Sequence, residues 1–242
     1  MSLRIQAHGA SDIGLARENN EDAWFLSLED GLFLVADGLG GHQAGEVASK
    51  EAVEHFSLVF RELKKDCSLC SEEEIFELLR TCFFLTNDRL FTLSCSHDLL
   101  RGMGTTFCSL SFHHDKIAVS HIGDSRIYRL RDNMLEQLTK DHCWARPVWG
   151  FEGRSSKGVL TKALGTNEQV EPTIRVLGVK EADLFLICSD GLSDTVSHAE
   201  LERFLQMKMT VGERVRSLIA LAKQHHGGDN ITVLVAEVVR HA

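Results

Sequence analysis

Residues 32–63 read LFLVADGLGGHQAGEVASKEAVEHFSLVFREL, and the change of rhythm inside this stretch decides the fold. Leu32–Ala36 is a short run of strand formers that ends on the turn pair Asp37-Gly38. A glycine-rich passage follows to Gly45. Ala48, Ala52, Phe56, Val59 and Leu63 then recur at steps of four and three, which is one face of a helix over 43–63.

The same two rhythms extend along the chain. Strand-forming runs occupy 23–28, 105–112, 116–122, 126–130, 174–179, 184–188 and 231–238. A second helix starts at Ser71, where Glu74 completes a capping box, with Ile75, Leu78, Leu79 and Cys82 inward. Ser197 with Glu200, and Thr210 with Glu213, open two more. Their apolar stripes are Leu201, Phe204, Leu205 and then Val215, Leu218, Ile219, Ala222. Four helices arrive in pairs between groups of strands. That order disfavours a doubly wound parallel sheet and predicts an α+β fold, paired helices flanking largely antiparallel strands.

The 242 residues are 43% hydrophobic, enough for a sizeable core, and contain only two prolines and no linker-like stretch. One domain over 1–242 is expected. A formal charge of −9 argues against nucleic-acid binding, which relies on clustered Lys and Arg. Apolar runs such as Leu184–Cys188 are too short for membrane insertion, and MSLRIQAHGASD lacks the apolar centre of a secretory signal. Seven scattered cysteines suggest reduced thiols and a cytoplasmic location. Cys67 and Cys70 form the one CxxC, without the second ligand pair that a zinc site requires.

Four strands carry an aspartate at one end with glycine beside it. Asp37-Gly38 closes 32–36, Gly123-Asp124 follows 117–122, Asp190-Gly191 follows 184–188, and Gly227-Gly228-Asp229 leads into 231–235. Any one of them can be a turn. Together they predict converging carboxylates, and two unit charges about 4 Å apart repel by roughly 4 kcal/mol at an effective dielectric near 20. Cations among them relieve that repulsion, and an all-oxygen set selects Mg²⁺ or Mn²⁺ over zinc. No EF-hand loop is present. The glycine passage fails as a dinucleotide fingerprint at Gln43 and as a P-loop at Glu46, where lysine is needed.

Arg17-Glu-Asn-Asn-Glu-Asp22, Asp37-Gly-Leu-Gly-Gly41, Gly104-Thr-Thr106, Gly123-Asp-Ser-Arg126, Leu160-Thr-Lys-Ala-Leu-Gly165, Ser189-Asp-Gly191 and Gly228-Asp-Asn230 occur in that order. Together they resemble the metal-dependent Ser/Thr protein phosphatases of the protein phosphatase 2C type, in their compact bacterial form, from about Gly9 to Val238. The resemblance implies a four-layer αββα sandwich, two mainly antiparallel β-sheets flanked by helix pairs. It implies two Mn²⁺ or Mg²⁺ ions bridged by Asp37, with the Gly38 carbonyl, Asp190 and Asp229 in contact and Glu21 and Asp22 acting directly or through water. Asp124 resembles the ligand of a third, weaker ion.

The implied reaction is hydrolysis of phosphoserine and phosphothreonine in proteins by metal-activated water. Arg17 would fork two hydrogen bonds to phosphate oxygens; its alternative is a surface ion pair with Glu18 or Glu21. His42 would protonate the leaving oxygen, contact metal-bound water, or cap the helix that follows. The segment 141–159, DHCWARPVWGFEGRSSKGV, takes the place of the family's flap and is shorter than usual. Ser155 or Ser156 could serve the third ion, and Trp144 and Trp149 could face substrate or pack the flap down. A phosphoprotein substrate, an opposing Ser/Thr kinase and a monomeric state are expected. Two alternatives are a catalytically silent phosphoprotein-binding module and a hydrolase of small phosphomonoesters.

Overall fold

The structure, a computed structural model, describes residues 3–40, 43–65, 71–144 and 158–240. In chain order the strands are β1 (Leu3–Asp12), β2 (Asp22–Ser27), β3 (Leu32–Leu39), β4 (Gly104–Thr105), β5 (Phe107–His113), β6 (Lys116–Ile122) and β7 (Arg126–Arg131). They continue with β8 (Met134–Gln137), β9 (Cys143–Trp144), β10 (Val159–Leu160), β11 (Thr173–Gly178), β12 (Leu184–Cys188) and β13 (Ile231–Arg240). The helices are α1 (Gln43–Lys65), α2 (Glu72–Ser96), α3 (Asp190–Ser193), α4 (His198–Leu205) and α5 (Val211–Gln224).

One sheet has the order β1-β13-β12-β7-β8 and the other β11-β6-β5-β3-β2, with β4 on β3. Every described pairing is antiparallel. Strand alternation makes the layers. On β3, Leu32, Leu34 and Ala36 face α1 and α2, meeting Ala48, Ala52, Phe56, Phe60, Ile75, Leu79 and Phe83. The other side of β3, Phe33 and Val35, packs on Phe185, Ile187, Leu234 and Ala236 of the opposite sheet. Leu184, Leu186 and Cys188 of β12 then face Val215, Leu218 and Ala222 of α5. Three apolar layers thus separate helices, sheet, sheet and helices, as the αββα expectation requires.

The three expected capping boxes are all present, at Ser71–Glu74, Ser197–Glu200 and Thr210–Glu213. The structure departs from the sequence reading in four places. The ten-residue β1 and the short β8 were not expected; both are edge strands of one sheet, with little apolar signal of their own. The run 105–112 is broken at Thr106 into β4 and β5. Asp190 opens a one-turn helix, α3, instead of a turn. At the flap the chain pairs Cys143 with Leu160 and Trp144 with Val159; residues 145–157 lie outside the described set.

Candidate metal centre

The antiparallel pairing decides where the aspartates meet. β2 begins where β3 ends, so Asp22 stands opposite Asp37 in the ladder. β13 begins where β12 ends, with Cys188 paired to Val233, which brings Asp229 to the same edge as Asp190. β6 runs antiparallel to β5, and β5 to β3, so Asp124 beyond the end of β6 arrives there too. A cleft of about 630 Å³ opens at this edge, and Arg17, Glu21, Asp37, Gly38, Asp124, Asp190 and Asp229 all line it.

Each group is fixed by its neighbours. The Asp37 amide donates to Thr106 Oγ1 at 3.1 Å, and its carbonyl accepts from the Thr106 amide at 2.9 Å and Thr105 Oγ1 at 2.8 Å. Gly38 is pressed between two backbones: a Cβ there would stand 2.1 Å from the Gly45 carbonyl oxygen and 2.7 Å from that of Glu21. The Glu21 carboxylate lies against the first turn of α1, 2.4 Å from where a Cβ on Gly45 would sit. A side chain at Gly38 would force the helix off the strand, and one at Gly45 would displace the Glu21 carboxylate.

Asp22 faces the other way. It does not line the cleft; its Oδ2 accepts from Ser189 Oγ at 2.8 Å and Thr232 Oγ1 at 2.6 Å, joining the two sheets behind the cleft floor. Its Oδ1 is buried with no hydrogen-bond partner. Arg17 is half exposed and pairs with Asp229, Nη2 lying 2.8 Å from Oδ1 and 3.0 Å from Oδ2. The partner is therefore neither Glu18 nor Glu21.

The electrostatics express a surplus of negative charge. Burial raises the Asp22 carboxyl to about 7, opposed by its two hydroxyl donors and reinforced by Asp190 and Asp229. Asp37 is held well above the carboxylate range by desolvation and then by Asp22, Asp190, Asp229 and Asp124. Asp124 rises to about 6 through burial, then Asp190, Asp141 and Asp194.

Such a donor set suits hard divalent cations. It offers carboxylate and carbonyl oxygens and mutual repulsion that an ion relieves, with the buried, unpartnered Oδ1 of Asp22 behind the cleft floor. Among the described residues no three acidic, cysteine or histidine side chains are drawn together as a finished ion cage. They instead line the walls of an open cleft, with Asp229 turned to Arg17.

His42, Ser155, Ser156 and Trp149 lie outside the described residues. Trp144 is 73% exposed, so it does not pack onto the core. Sequence reasoning gave no role to Thr106 or Asn230, although both belong to motifs that had been noted, Gly104-Thr-Thr106 and Gly228-Asp-Asn230. Ser189 and Thr232, the hydroxyls that hold Asp22, carried no periodic signal.

Comparison with known proteins bears on this arrangement. Residues 15–224 match the family model described as Protein phosphatase 2C. Serine/threonine phosphatase stp of Listeria monocytogenes is 34% identical over 244 residues, 96% of each chain. Serine/threonine protein phosphatase PstP of Mycobacterium tuberculosis is 36% identical over 251 residues, 99% of this chain and 46% of that protein. The crystal structure of the PstP catalytic domain in complex with 2 manganese ions has a TM-score of 0.84 at 34% identity, covering 99% of this chain and 100% of that one. PppA, a key regulatory component of T6SS in Pseudomonas aeruginosa, has a TM-score of 0.84 at 32% identity, covering 97% of this chain and 98% of that one.

Proposed function

The chain belongs to the protein phosphatase 2C family, and we propose that its acidic cleft is where it performs the family's reaction. It is a protein-serine/threonine phosphatase that uses two divalent ions, Mn²⁺ or Mg²⁺. In our reading Asp37, the Gly38 carbonyl, Asp190 and Asp229 would hold the two ions, and Glu21 and Asp22 would support them directly or through water. Asp124 serves a third, weaker ion. The ions supply charge neutralisation and an activated water for attack on phosphorus.

The protein's own part is positioning and charge. Arg17 stands at the cleft mouth, where its guanidinium presents a fork to phosphate oxygens and balances charge that builds in the transition state. An incoming phosphate competes with Asp229 for that guanidinium. Thr106 holds the Asp37 amide and carbonyl, so the backbone that carries the carboxylate is fixed.

The observation that carries this reading is the convergence of five carboxylates, Glu21, Asp37, Asp124, Asp190 and Asp229, with Arg17 on one cleft. The test is turnover of a phosphothreonine peptide and p-nitrophenyl phosphate with Mn²⁺, Mg²⁺ or EDTA. Mn²⁺-stimulated hydrolysis that chelator abolishes is expected; activity surviving chelation would reject the mechanism. A preference for phosphotyrosine peptides would reject the substrate class. A silent phosphoprotein-binding module would bind the peptide without turnover.

The finer expectations follow the same reading: a single catalytic domain, monomeric, working in the cytoplasm against a Ser/Thr kinase of the same cell. Among the described residues no helix is long and apolar enough to cross a membrane. Light scattering in solution checks the monomer, and loss of phosphothreonine from kinase-labelled lysate proteins checks the opposing role.

A further inference from the structure

Asn230 is 5% exposed, and its side chain makes three hydrogen bonds, all to one segment of chain. Its Oδ1 accepts from the Glu21 amide at 2.8 Å. Its Nδ2 donates to the Ile13 carbonyl at 3.0 Å and to the Asn19 carbonyl at 3.0 Å. These partners bracket Arg17 on both sides. One acceptor and two donors are needed, and among the side chains of this shape only a carboxamide supplies both. Aspartate offers no donor, and leucine offers neither.

The backbone of Asn230 serves the other walls of the cleft. Its amide donates to Asp229 Oδ1 at 2.9 Å, and its carbonyl oxygen lies 2.0 Å from where a Cβ on Gly191 would sit. The 13–21 segment also rests on the turn before Asn230. The Leu15 amide donates to the Gly227 carbonyl at 2.8 Å, and Gly14, at φ +81°, comes so close that its Cβ would be 2.2 Å from the Asp229 carbonyl oxygen. One buried residue therefore touches the Arg17 segment, Asp229 and the start of α3.

We infer that Asn230 is a positioning residue for phosphate binding: its carboxamide sets the Ile13–Glu21 segment so that Arg17 faces the metal cleft. This rests on Arg17 being the phosphate ligand. Arg17 itself is half exposed and its guanidinium pairs with Asp229, so Asn230 sets both the backbone that carries Arg17 and, through its own backbone amide, the carboxylate that Arg17 meets. Loss of the amide frees that backbone and lets the guanidinium swing away from the cleft.

A double-mutant cycle on the Mn²⁺-saturated protein separates the two claims, with inorganic phosphate as the calorimetric ligand. Arg17→Ala should weaken phosphate binding by about 10- to 100-fold, the span of a hydrogen bond between charged groups. Asn230→Ala should weaken it at least about fivefold alone and less than about twofold in the Arg17→Ala background. Unchanged affinity in Arg17→Ala would overturn the Arg17 assignment. Normal loss in Arg17→Ala, but an Asn230→Ala effect that is absent or equal in both backgrounds, would overturn the positioning role. If Asn230→Ala does not fold, Asn230→Asp keeps the acceptor for Glu21, removes both donors and enters the same cycle. Amide hydrogen exchange in residues 13–21 should quicken in either variant; unchanged exchange there also overturns the inference.

Discussion

Asp22 and Asp37 stand directly opposite each other in the β2–β3 ladder, so both carboxylates point into the layer between the two sheets. Directly opposed like charges destabilise a ladder, and here the sandwich also removes water from them. The pair is a source of tension in the metal-free protein.

That tension sets a pH dependence. The folded carboxyl of Asp22 is raised to about 7 from 3.8, so its contribution to stability is present below pH 3.8 and is lost as pH rises toward 7. In chelator, Asp22→Asn should therefore raise the melting temperature at pH 8 and change it much less at pH 5. Its amide oxygen can still accept from Ser189 or Thr232. Thermal melts at the two pH values check this; an equal shift at both would mean that ionisation of Asp22 costs the fold nothing.

Asp190→Ala should leave the fold standing and remove the reaction. It opens α3 on the cleft wall, and under the proposed function its carboxylate is an inner contact of a bound ion. Turnover of the phosphothreonine peptide should fall at least about 100-fold at any Mn²⁺ concentration. Retained activity at saturating Mn²⁺ would exclude Asp190 from the centre.

Arg17→Lys tests fork against charge. Arg17 is half exposed in its pair with Asp229, so the pair contributes at most about 1 kcal/mol to stability, and the melting temperature should hardly move. A lysine keeps the charge and loses the planar fork, so KM for the peptide should still rise clearly. A wild-type KM would show that charge alone suffices.

Gly191→Ala should be costly. The new Cβ would lie 2.0 Å from the Asn230 carbonyl oxygen, whereas one at Gly178 meets nothing within 4 Å. Overpacking of this kind costs about 1–3 kcal/mol, and Gly178→Ala should be close to neutral. Urea unfolding of the two variants measures the difference; equal midpoints would mean that α3 shifts freely, and the cleft geometry with it.

Much of this protein is written locally. The three capping boxes fixed the helix starts at Ser71, Ser197 and Thr210 because each needs only residues three apart. Continuous apolar runs such as Leu32–Ala36 and Leu184–Cys188 marked strands covered on both faces, and seven short motifs in order carried the family. By contrast β1 and β8 owe their existence to one neighbour each, β13 and β7, and carry too few apolar residues to be read alone.

Local patterns in the chain thus named a set of candidate acids and most of the elements that carry them. The packing of the two sheets set which way each one faces. Glu21 and Asp22 are adjacent, and a strand turns neighbours to opposite sides, so Glu21 lies at the first turn of α1 while Asp22 enters the inter-sheet layer and is held by Ser189 and Thr232. Asn230 likewise became legible once β13 had brought it beneath the Arg17 segment, because a hydrogen bond across more than 200 residues leaves no local pattern.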